Sequence, residues 1–296
     1  AKAGEEIVGA ATRAIRPIFL NGKMIDGGYL SDLRVVPEFR RGMTLARGYR
    51  YLRNLHEDGR AAIYTTVIVE DNKTALSTVG ANRADMPTYR DQGRILTPMI
   101  SLQKRLPEIP AEIRSATRED FPAIVAKLNE KKMQFQPVYT EKDLLDGRFQ
   151  NLQENDFRML FRQGKLVGVM AAWNQMPFRQ TVVKNYAGAV GVLRPFINLF
   201  RTPPLPATGE PLPFFYIAFS ASDTVEDYRT LLRSIYNESI DGPHSHMIAG
   251  LHERDPRLPV LYEYPHTHFA GRLFSVTFDG PIEIDDRVPH IEAALL

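Results

Sequence analysis

The sequence predicts a mixed α/β fold of the α+β kind, divided into two domains that each carry a mixed sheet flanked by helices. Its 296 residues exceed the usual length of one domain. β-branched or alternating apolar runs are interleaved with segments of helical periodicity along the whole chain. A hairpin signal occurs twice, at Asn21-Gly22 and at Gln163-Gly164, each between two apolar runs. Together these observations favour a mixed layer of strands and helices, and the length favours two domains.

The first domain is predicted to contain strands, two helices and an irregular end. The periodicity of apolar residues predicts strands over 5–22, 24–36 and 61–69, a helix over 43–56, and a short helix from Lys73 to about Val79. Asn72 stands at the position of a helix cap. Residues 80–111 read as irregular, and Pro107 and Pro110 indicate a boundary there, so we expect the first domain to span 1–111.

After this boundary the pattern starts afresh, which predicts a second domain over 112–296. Its predicted strands cover 112–116, 157–161, 166–173, 214–220, 247–251, 267–278 and 281–295. Its predicted helices cover 118–132 and 224–238, with shorter ones near 141 and over 255–263. Residues 201–213 contain five prolines and are expected to be a stiff connector.

Composition excludes several classes of protein. The 44% hydrophobic and 24% charged residues describe an ordinary globular chain, and no apolar run approaches the roughly 20 residues that span a bilayer. A net charge of +2 is too small to predict a nucleic-acid partner. With no cysteine, disulfides and a thiolate nucleophile are excluded. No signal peptide is visible, so we expect a cytoplasmic protein; the chain begins without methionine, and we expect residues to precede it.

The most informative segment runs from Asp32 to Leu52, where an apolar strand meets Pro37 and opens through a short turn into a helix. Six arginines lie in or beside this segment, and they are Arg34, Arg40, Arg41, Arg47, Arg50 and Arg53. The first N–H groups of a helix have no partner within it, and the helix dipole adds positive potential there. The segment therefore predicts an anion site suited to phosphate or pyrophosphate. The alternative is an amphipathic helix with a solvated basic face.

This segment resembles the GCN5-related N-acetyltransferase (GNAT) superfamily. The hallmark of that family is a strand ending in a Val-x-Pro-like bend, followed by Arg/Gln-x-x-Gly-x-Gly/Ala at the start of a helix. The matching residues here are Arg41-Gly42-Met43-Thr44-Leu45-Ala46, with Thr44 in place of the middle glycine. Glu70–Ala75 likewise resembles a later Asn-x-x-Ala pattern, whose asparagine lies at the pantetheine arm in the family. The tyrosine that often follows as general acid is absent, since Val79 lies there.

The resemblance covers residues 5 to about 100 and lacks the first strand and two helices of the family domain. It implies a mixed, splayed sheet that binds acyl-CoA, most simply acetyl-CoA, as co-substrate and without a metal. The implied cofactor-binding residues are Val35, Val36, Arg40, Arg41, Gly42, Met43, Thr44, Leu45, Ala46 and Asn72. Residues 112–296 repeat the family's element order without its phosphate loop. The resemblance thus implies tandem GNAT-like domains, the second one degenerate.

Two residues are candidates for acid–base chemistry. N-acyl transfer needs a base for the amine and a proton for the leaving thiolate. Asp32, with Ser31 beside it, lies on the strand that leads into the bend and is the candidate base. Its alternative is a solvated carboxylate paired with a nearby arginine. Tyr89 is the candidate acid, and its alternative is a packed tyrosine.

The sequence leaves two classes of function open. The first is an acyl-CoA-dependent N-acyltransferase acting on a small-molecule or peptide amine held between the domains. The second is a non-catalytic acyl-CoA-binding or protein-interaction module, favoured by the missing tyrosine and the irregular phosphate loop. Five of seven histidines fall between His244 and His268, and two His-x-His pairs admit a zinc site, although we expect no metal. No nucleic acid and no membrane partner is expected, and homo-oligomer formation stays open.

Overall fold

A computed structural model describes residues 2–40, 43–79, 86–186, 188–199 and 204–296 of the chain. The strands are β1 (Lys2–Ala3), β2 (Glu6–Ile7), β3 (Gly9–Leu20), β4 (Lys23–Val35), β5 (Tyr64–Val69), β6 (Thr88–Leu96), β7 (Met99–Ser101), β8 (Glu112–Ser115), β9 (Phe157–Arg162), β10 (Lys165–Trp173), β11 (Phe214–Ser222), β12 (His246–Ile248), β13 (Leu251–His252), β14 (His266–Thr267) and β15 (Ala270–Thr277). The helices are α1 (Thr44–His56), α2 (Lys73–Val79), α3 (Phe121–Asn129), α4 (Glu141–Leu145), α5 (Val190–Asn198), α6 (Val225–Glu238) and α7 (Leu258–Leu261).

The strands form two large mixed sheets. The six-stranded sheet has the order β13-β6-β15-β5-β4-β3, and the seven-stranded sheet has the order β14-β7-β12-β11-β10-β9-β8. Each sheet contains one parallel pair, β4 with β5 and β11 with β12, while its other neighbours run antiparallel. The five strands from β3 to β6 in the first sheet and the five from β10 to β14 in the second therefore have the same order and the same strand directions. The predicted α/β class with two helix-flanked sheets is confirmed.

The two sheets exchange strands. β15 comes from the C-terminal part of the chain and lies between β5 and β6, where its ladder runs from Ala270 to Thr277. In return β7, which precedes residue 111, lies between β12 and β14. The six-stranded sheet thus contains two strands from the C-terminal half, β13 and β15, and the seven-stranded sheet contains β7 from the first half. The expected division into 1–111 and 112–296 stays a prediction about domains, and the sheets themselves cross it in both directions.

Helices cover the sheets on the faces that carry apolar side chains. On one face of the six-stranded sheet Leu76 and Val79 of α2 pack with Tyr64 and Phe274. The other face packs against residues of the C-terminal half, including Phe135. The seven-stranded sheet is covered by α6 and α7 on one side and by α3 and α4 on the other. In the described ranges no helix has the length and apolar character needed to cross a membrane.

Several predicted elements differ from the structure. Residues 80–111 were expected to be irregular, but they contain β6 and β7. Most residues of β6 are polar, charged or glycine, and Ile95 is its one buried residue, so the strand lacks the apolar alternation that would predict it. The strand expected over 281–295 does not form; this stretch crosses the six-stranded sheet as an extended tail and ends in a 3-10 turn at Ala293–Leu295. The helix expected over 118–132 is shorter, and α5 was not predicted.

The start of the β4–β5 pair depends on a glycine. A Cβ added at Gly28 would lie 1.9 Å from Cδ1 of Tyr64, whose side chain is fully buried. We therefore expect Gly28→Ala to lower the free energy of unfolding by about 2 kcal/mol or more, the range for overpacked cores. The matched control is Gly48→Ala on α1, where no atom lies within 4 Å and a gain of about 0.5–1 kcal/mol is expected. Urea unfolding measures both; equal effects would contradict the packing argument.

Candidate functional site

The two central strands of the six-stranded sheet separate after a short contact. β4 and β5 pair only at Gly28–Tyr64 and Tyr29–Thr65, although β4 continues to Val35 and β5 to Val69. Beyond this point the facing main-chain edges no longer hydrogen-bond to each other, so a cleft opens within the sheet. An extended ligand of strand-like width can enter such a cleft and pair with its edges.

A β-bulge lies in the wall of this cleft. In the ladder between β3 and β4, Ala10 pairs with Arg34 and Thr12 pairs with Ser31, so β4 holds one residue more than β3. Asp32 is in this bulge with φ of 54°, the left-handed region that side chains other than glycine rarely adopt. Strained bulges of this kind redirect main-chain groups and occur beside functional sites. The bulge thus turns the main chain of β4 at the open edge.

The Asp32 carboxylate itself is exposed. Its side chain is 61% accessible, receives a hydrogen bond from Ser31 at 3.2 Å and pairs with Arg34 at 3.4 Å. This is the arrangement expected if Asp32 is a solvated carboxylate beside an arginine. The main chain of the bulge therefore lies at the cleft, whereas the carboxylate extends into solvent.

Tyr89, the candidate acid, lies on the α1 side of the six-stranded sheet. Its hydroxyl is 2.9 Å from that of Tyr49 in α1, and its ring packs edge-on against Phe274. Burial raises the pKa of Tyr89, and the neighbouring Tyr49 raises it further. A phenol with a raised pKa is a weaker acid, so this position is less suited to protonating a thiolate. Among the described residues no hydrogen bond joins Tyr89 to Asp32 or its neighbours.

The end of β4 and the start of α1 form the predicted anion site. Arg41 and Gly42 lie outside the described residues. Met43 follows them, and α1 begins at Thr44. Met43 occupies the cap position and its side chain makes no capping hydrogen bond. Within the described part of the chain no side chain accepts from the first-turn N–H groups of Leu45 and Ala46, and such groups at the start of a helix suit an anion.

Other predicted cofactor-binding groups already have partners within the protein. The Val36 N–H donates to the Val8 carbonyl at 2.9 Å, and the Val35 carbonyl accepts from Nε of Arg40 at 2.9 Å. The carboxamide oxygen of Asn72 accepts from the Ala75 N–H at 3.1 Å and so caps α2. Asn72 is nevertheless exposed.

The cleft also contains a tyrosine that the sequence did not single out. Tyr29 is the last residue of β4 that pairs with β5. Burial raises its pKa to about 12 and Asp32 raises it too, whereas the Val67 main-chain N–H and Arg179 act in the opposite direction. Tyr29 therefore lies where the strands part, between the bulge and the second half of the chain.

The seven-stranded sheet repeats this geometry. β11 and β12 pair from Phe214 to Tyr216 and then separate. A second β-bulge lies in β11. Ala218 pairs with Ala171 and Ala221 pairs with Val169, so β11 holds one residue more than β10 there, and Phe219 in this bulge has φ of 48°. Phe219 thus corresponds to Asp32, and Tyr216 corresponds to Tyr29. The sequence signal was a short repeat, Tyr-Leu-Ser-Asp in β4 and Tyr-Ile-Ala-Phe in β11.

In the second half the cleft is filled from within. The N–H of Phe219 donates to the carboxylate of Glu292 at 2.8 Å, and the Tyr139 hydroxyl lies 3.4 Å from the same oxygen. The following residues, Ala293–Leu295, pack against β11 as a 3-10 turn. Glu292 is 5% exposed, and burial raises its pKa to about 7. No sequence signal pointed to it, because it lies 73 residues from Phe219.

The first turn of α6, the helix after β11, is capped by side chains of the chain itself. Thr224 caps α6 by accepting from the Asp227 N–H at 3.1 Å, and the Asp227 carboxylate accepts in return from the Thr224 N–H at 3.2 Å. This capping box satisfies the donors that remain free of side-chain partners at the start of α1. The two halves therefore share one geometry, and among the residues that the structure describes, side chains close it in the second half and not in the first.

A second polar cluster lies at the far end of α1. His56 is buried, stacks on Phe278, and has Nε2 at 2.8 Å from the Asp279 carboxylate and Nδ1 at 3.0 Å from the Tyr64 hydroxyl. Arg13 donates to the same hydroxyl at 3.1 Å. A shallow cavity of about 290 Å³ opens beside His56 and Asp279. Every hydrogen-bonding atom of this imidazole is thereby satisfied, which suits a structural role.

The histidines near the end of the chain do not assemble a metal site. Nε2 of His266 and His268 lie 3.1 Å apart, and Nε2 of His252 is 2.7 Å from the Gln92 carbonyl. Across the described residues no group of three or more histidine, aspartate or glutamate side chains is arranged to hold a metal ion.

Comparison with solved structures shows the fold of the GCN5-related N-acetyltransferases. The chain is similar to a GCN5-related N-acetyltransferase from Kribbella flavida with a TM-score of 0.51 and 14% identity, over 92% of this chain and 57% of that one. A GCN5-related N-acetyltransferase from Anabaena variabilis gives 0.51 and 9%, over 92% and 60%. Saccharomyces cerevisiae N-myristoyltransferase with bound myristoyl-CoA gives 0.54 and 11%, over 91% and 64%.

These similarities define the class of fold, which confirms the resemblance inferred from the sequence. The chain spans about 57–64% of the length of these proteins, and its sequence identity to them is low. The comparison therefore shows a shared fold and does not assign their activities to this chain. No protein-family model matches the chain, and no curated protein sequence matches it.

The burial of Glu292 predicts a pH-dependent stability. Its folded pKa of about 7 exceeds the ordinary value of 4.5, so the folded protein favours the protonated form. The contribution of Glu292 to the free energy of unfolding should therefore fall as the pH rises from about 4.5 to 7 and level off above it, by an amount on the order of 3 kcal/mol, whereas buried His290, whose pKa is lowered to about 4, contributes in the opposite direction. Glu292→Gln keeps an acceptor for the Phe219 N–H and should remove this decline. Urea unfolding at pH 5 and pH 8 measures it; an identical decline in both proteins would refute the assignment.

Proposed function

We propose that the chain is an acyl-CoA-dependent N-acyltransferase whose first half binds the acyl-CoA. One observation supports the proposal. The same separated strands, β-bulge and following helix occur twice, and among the described residues no side chain accepts from the bulge or caps the helix in the first copy. In the second copy Glu292 takes the bulge N–H and a capping box closes the helix. The fold shared with acyltransferases, one of them recorded with bound myristoyl-CoA, supports an acyl-CoA as the occupant of the open copy.

In this proposal the parts of acyl-CoA occupy successive parts of the site. The pyrophosphate binds the first turn of α1, at Met43, Thr44, Leu45 and Ala46, with Arg40, Arg41 and Gly42 beside it. The pantetheine arm lies along β4 near Val35 and Val36 and reaches the side chain of Asn72. The Arg40 side chain must then leave the Val35 carbonyl to make room for the arm. Acetyl-CoA is the simplest donor.

The chemistry follows from the bulge. The amine nitrogen attacks the thioester carbonyl carbon, the C–S bond breaks, and the amine proton is lost while the thiolate gains one. A main-chain N–H turned into the cleft by the bulge can stabilise the negative charge on the carbonyl oxygen. Asp32 is proposed to take the amine proton through water, since its carboxylate is solvated. Tyr89 is kept as the proposed proton donor, with the smaller contribution that its raised pKa implies.

The acceptor is proposed to bind where the two halves meet. Arg179 lies in the connection that precedes β11, and its guanidinium lies 6.0 Å from the centre of the Tyr216 ring. Burial raises the pKa of Tyr29 and of Tyr216, and the charge of Arg179 opposes both shifts. A small-molecule or peptide amine entering there would approach the thioester from the end where β4 and β5 part. A non-catalytic acyl-CoA-binding module is the alternative, and the exposed Asp32 carboxylate favours it.

Arg41 provides the test of the binding site. Charge-assisted hydrogen bonds contribute about 1.5–3 kcal/mol, so Arg41→Ala should weaken CoA binding roughly ten- to a hundred-fold. Arg118→Ala, an exposed arginine of the second half, is the matched control and should leave affinity unchanged. Calorimetry should give one CoA per chain. Unchanged affinity of Arg41→Ala, or two CoA per chain, would overturn this placement.

Asp32 provides the test of catalysis. Asparagine and glycine both tolerate the left-handed conformation, so Asp32→Asn and Asp32→Gly keep the bulge and remove the carboxylate. Since acid–base groups contribute about 10²–10⁴-fold, both variants should lower turnover at least a hundred-fold while CoA binding persists. Tyr89→Phe should lose less. Release of free thiol with a panel of amines measures turnover.

The outcomes separate the two functions. Full activity of both Asp32 variants would remove Asp32 from the mechanism and leave the main chain of the bulge as the catalytic element. Binding of acyl-CoA without turnover by the unaltered protein, with every amine tried, would favour the non-catalytic module.

A further inference from the structure

The connection between β10 and β11 is far longer than its counterpart in the first half. β3 and β4 are joined by the two residues Asn21 and Gly22, which suffices for antiparallel neighbours. β10 and β11 are also antiparallel neighbours, yet residues 174–213 lie between them. Among these residues is α5. Because the fold itself needs no more than a turn here, this insertion serves some other purpose.

The exposed side of α5 is its apolar side. Val192 is 80% exposed, Leu193 48%, Phe196 67% and Leu199 73%. The polar side chains instead turn inward: Arg194 donates to the Leu205 carbonyl at 3.2 Å, and Asn198 makes hydrogen bonds with the main chain of the same residue. A helix on a protein surface ordinarily shows the opposite orientation. We call Val192, Leu193, Phe196 and Leu199 the apolar stripe. Its exposure suits contact with another apolar surface.

The charge of the insertion favours one occupant. The insertion over residues 174–213 contains four basic residues, Arg179, Lys184, Arg194 and Arg201, and one acidic residue, Glu210, so its net charge is +3. A contact between two copies through this insertion would bring two such net positive charges together. An anionic lipid surface satisfies both the apolar stripe and the positive charge, as for helices that lie in the membrane interface.

We propose that α5 lies in the plane of an anionic lipid surface and holds the protein against it. Phe196 and its neighbours on the stripe enter the acyl boundary, and Lys184 lies at the level of the headgroups. This attachment crosses no bilayer and is compatible with the lack of a spanning helix among the described residues. It revises the expectation that the chain has no membrane partner, and it does not depend on the proposed acyl transfer.

Co-sedimentation with vesicles tests the proposal. The protein should bind vesicles of phosphatidylcholine with one quarter phosphatidylglycerol, and bind vesicles of phosphatidylcholine alone at least tenfold more weakly. Phe196→Glu should weaken binding to the anionic vesicles at least tenfold, and Lys184→Gln by roughly fivefold. Met24→Glu is the matched control, because Met24 is 66% exposed on β4 in the other half and its replacement should change nothing.

Three results would overturn the proposal. The first is equal binding to neutral and anionic vesicles, and the second is unchanged vesicle binding by Phe196→Glu. The third is self-association of the unaltered protein in light scattering that Phe196→Glu abolishes without any vesicle binding, which would assign the stripe to a second copy. Because the replaced side chains are exposed, unchanged thermal unfolding of each variant verifies that the fold is retained.

Discussion

The early end of pairing between β4 and β5 is the constraint on which the site depends. Two register pairs, ending at Tyr29 and Thr65, hold the centre of the six-stranded sheet together. Tyr64 makes this contact tight, because its buried ring lies directly over Gly28. Beyond it the bulge at Asp32 bends β4 away, and the strand continues to the uncapped start of α1. Cleft, bulge and anion site are therefore successive consequences of one short parallel contact.

The exchange of β15 and β7 explains why the chain keeps a second half whose own cleft is filled. Without β15, β5 and β6 would have no common neighbour, and both would be unpaired edges of an incomplete sheet. The hairpin turn at Asn21 is also held from the other half, since its N–H donates to Gln134 at 2.7 Å. The second half thus stabilises the walls of the first cleft.

Sequence reasoning predicted what local signals determine. The Asn21-Gly22 hairpin, the α1 periodicity and the cap of α2 by Asn72 were found because neighbouring residues specify them. The splay and the tandem arrangement came from the resemblance and not from periodicity. β6 and the path of residues 281–295 were missed, since a strand inserted from the distant part of the chain decides both. Glu292 and the His56 cluster join residues more than 70 positions apart, and no local pattern indicates such contacts.

The two bulges differ in the source of the hydrogen-bond acceptor for their main-chain N–H group. A main-chain N–H buried without an acceptor is costly, so a bulge that turns an amide away from its ladder needs one. At Phe219, which is fully buried, the chain supplies the Glu292 carboxylate. At Asp32, which is exposed, no side-chain carboxylate of the described residues takes that place. A water molecule or the carbonyl oxygen of a ligand can accept a hydrogen bond at this bulge, and stabilising a carbonyl oxygen there is what the proposed acyl transfer requires.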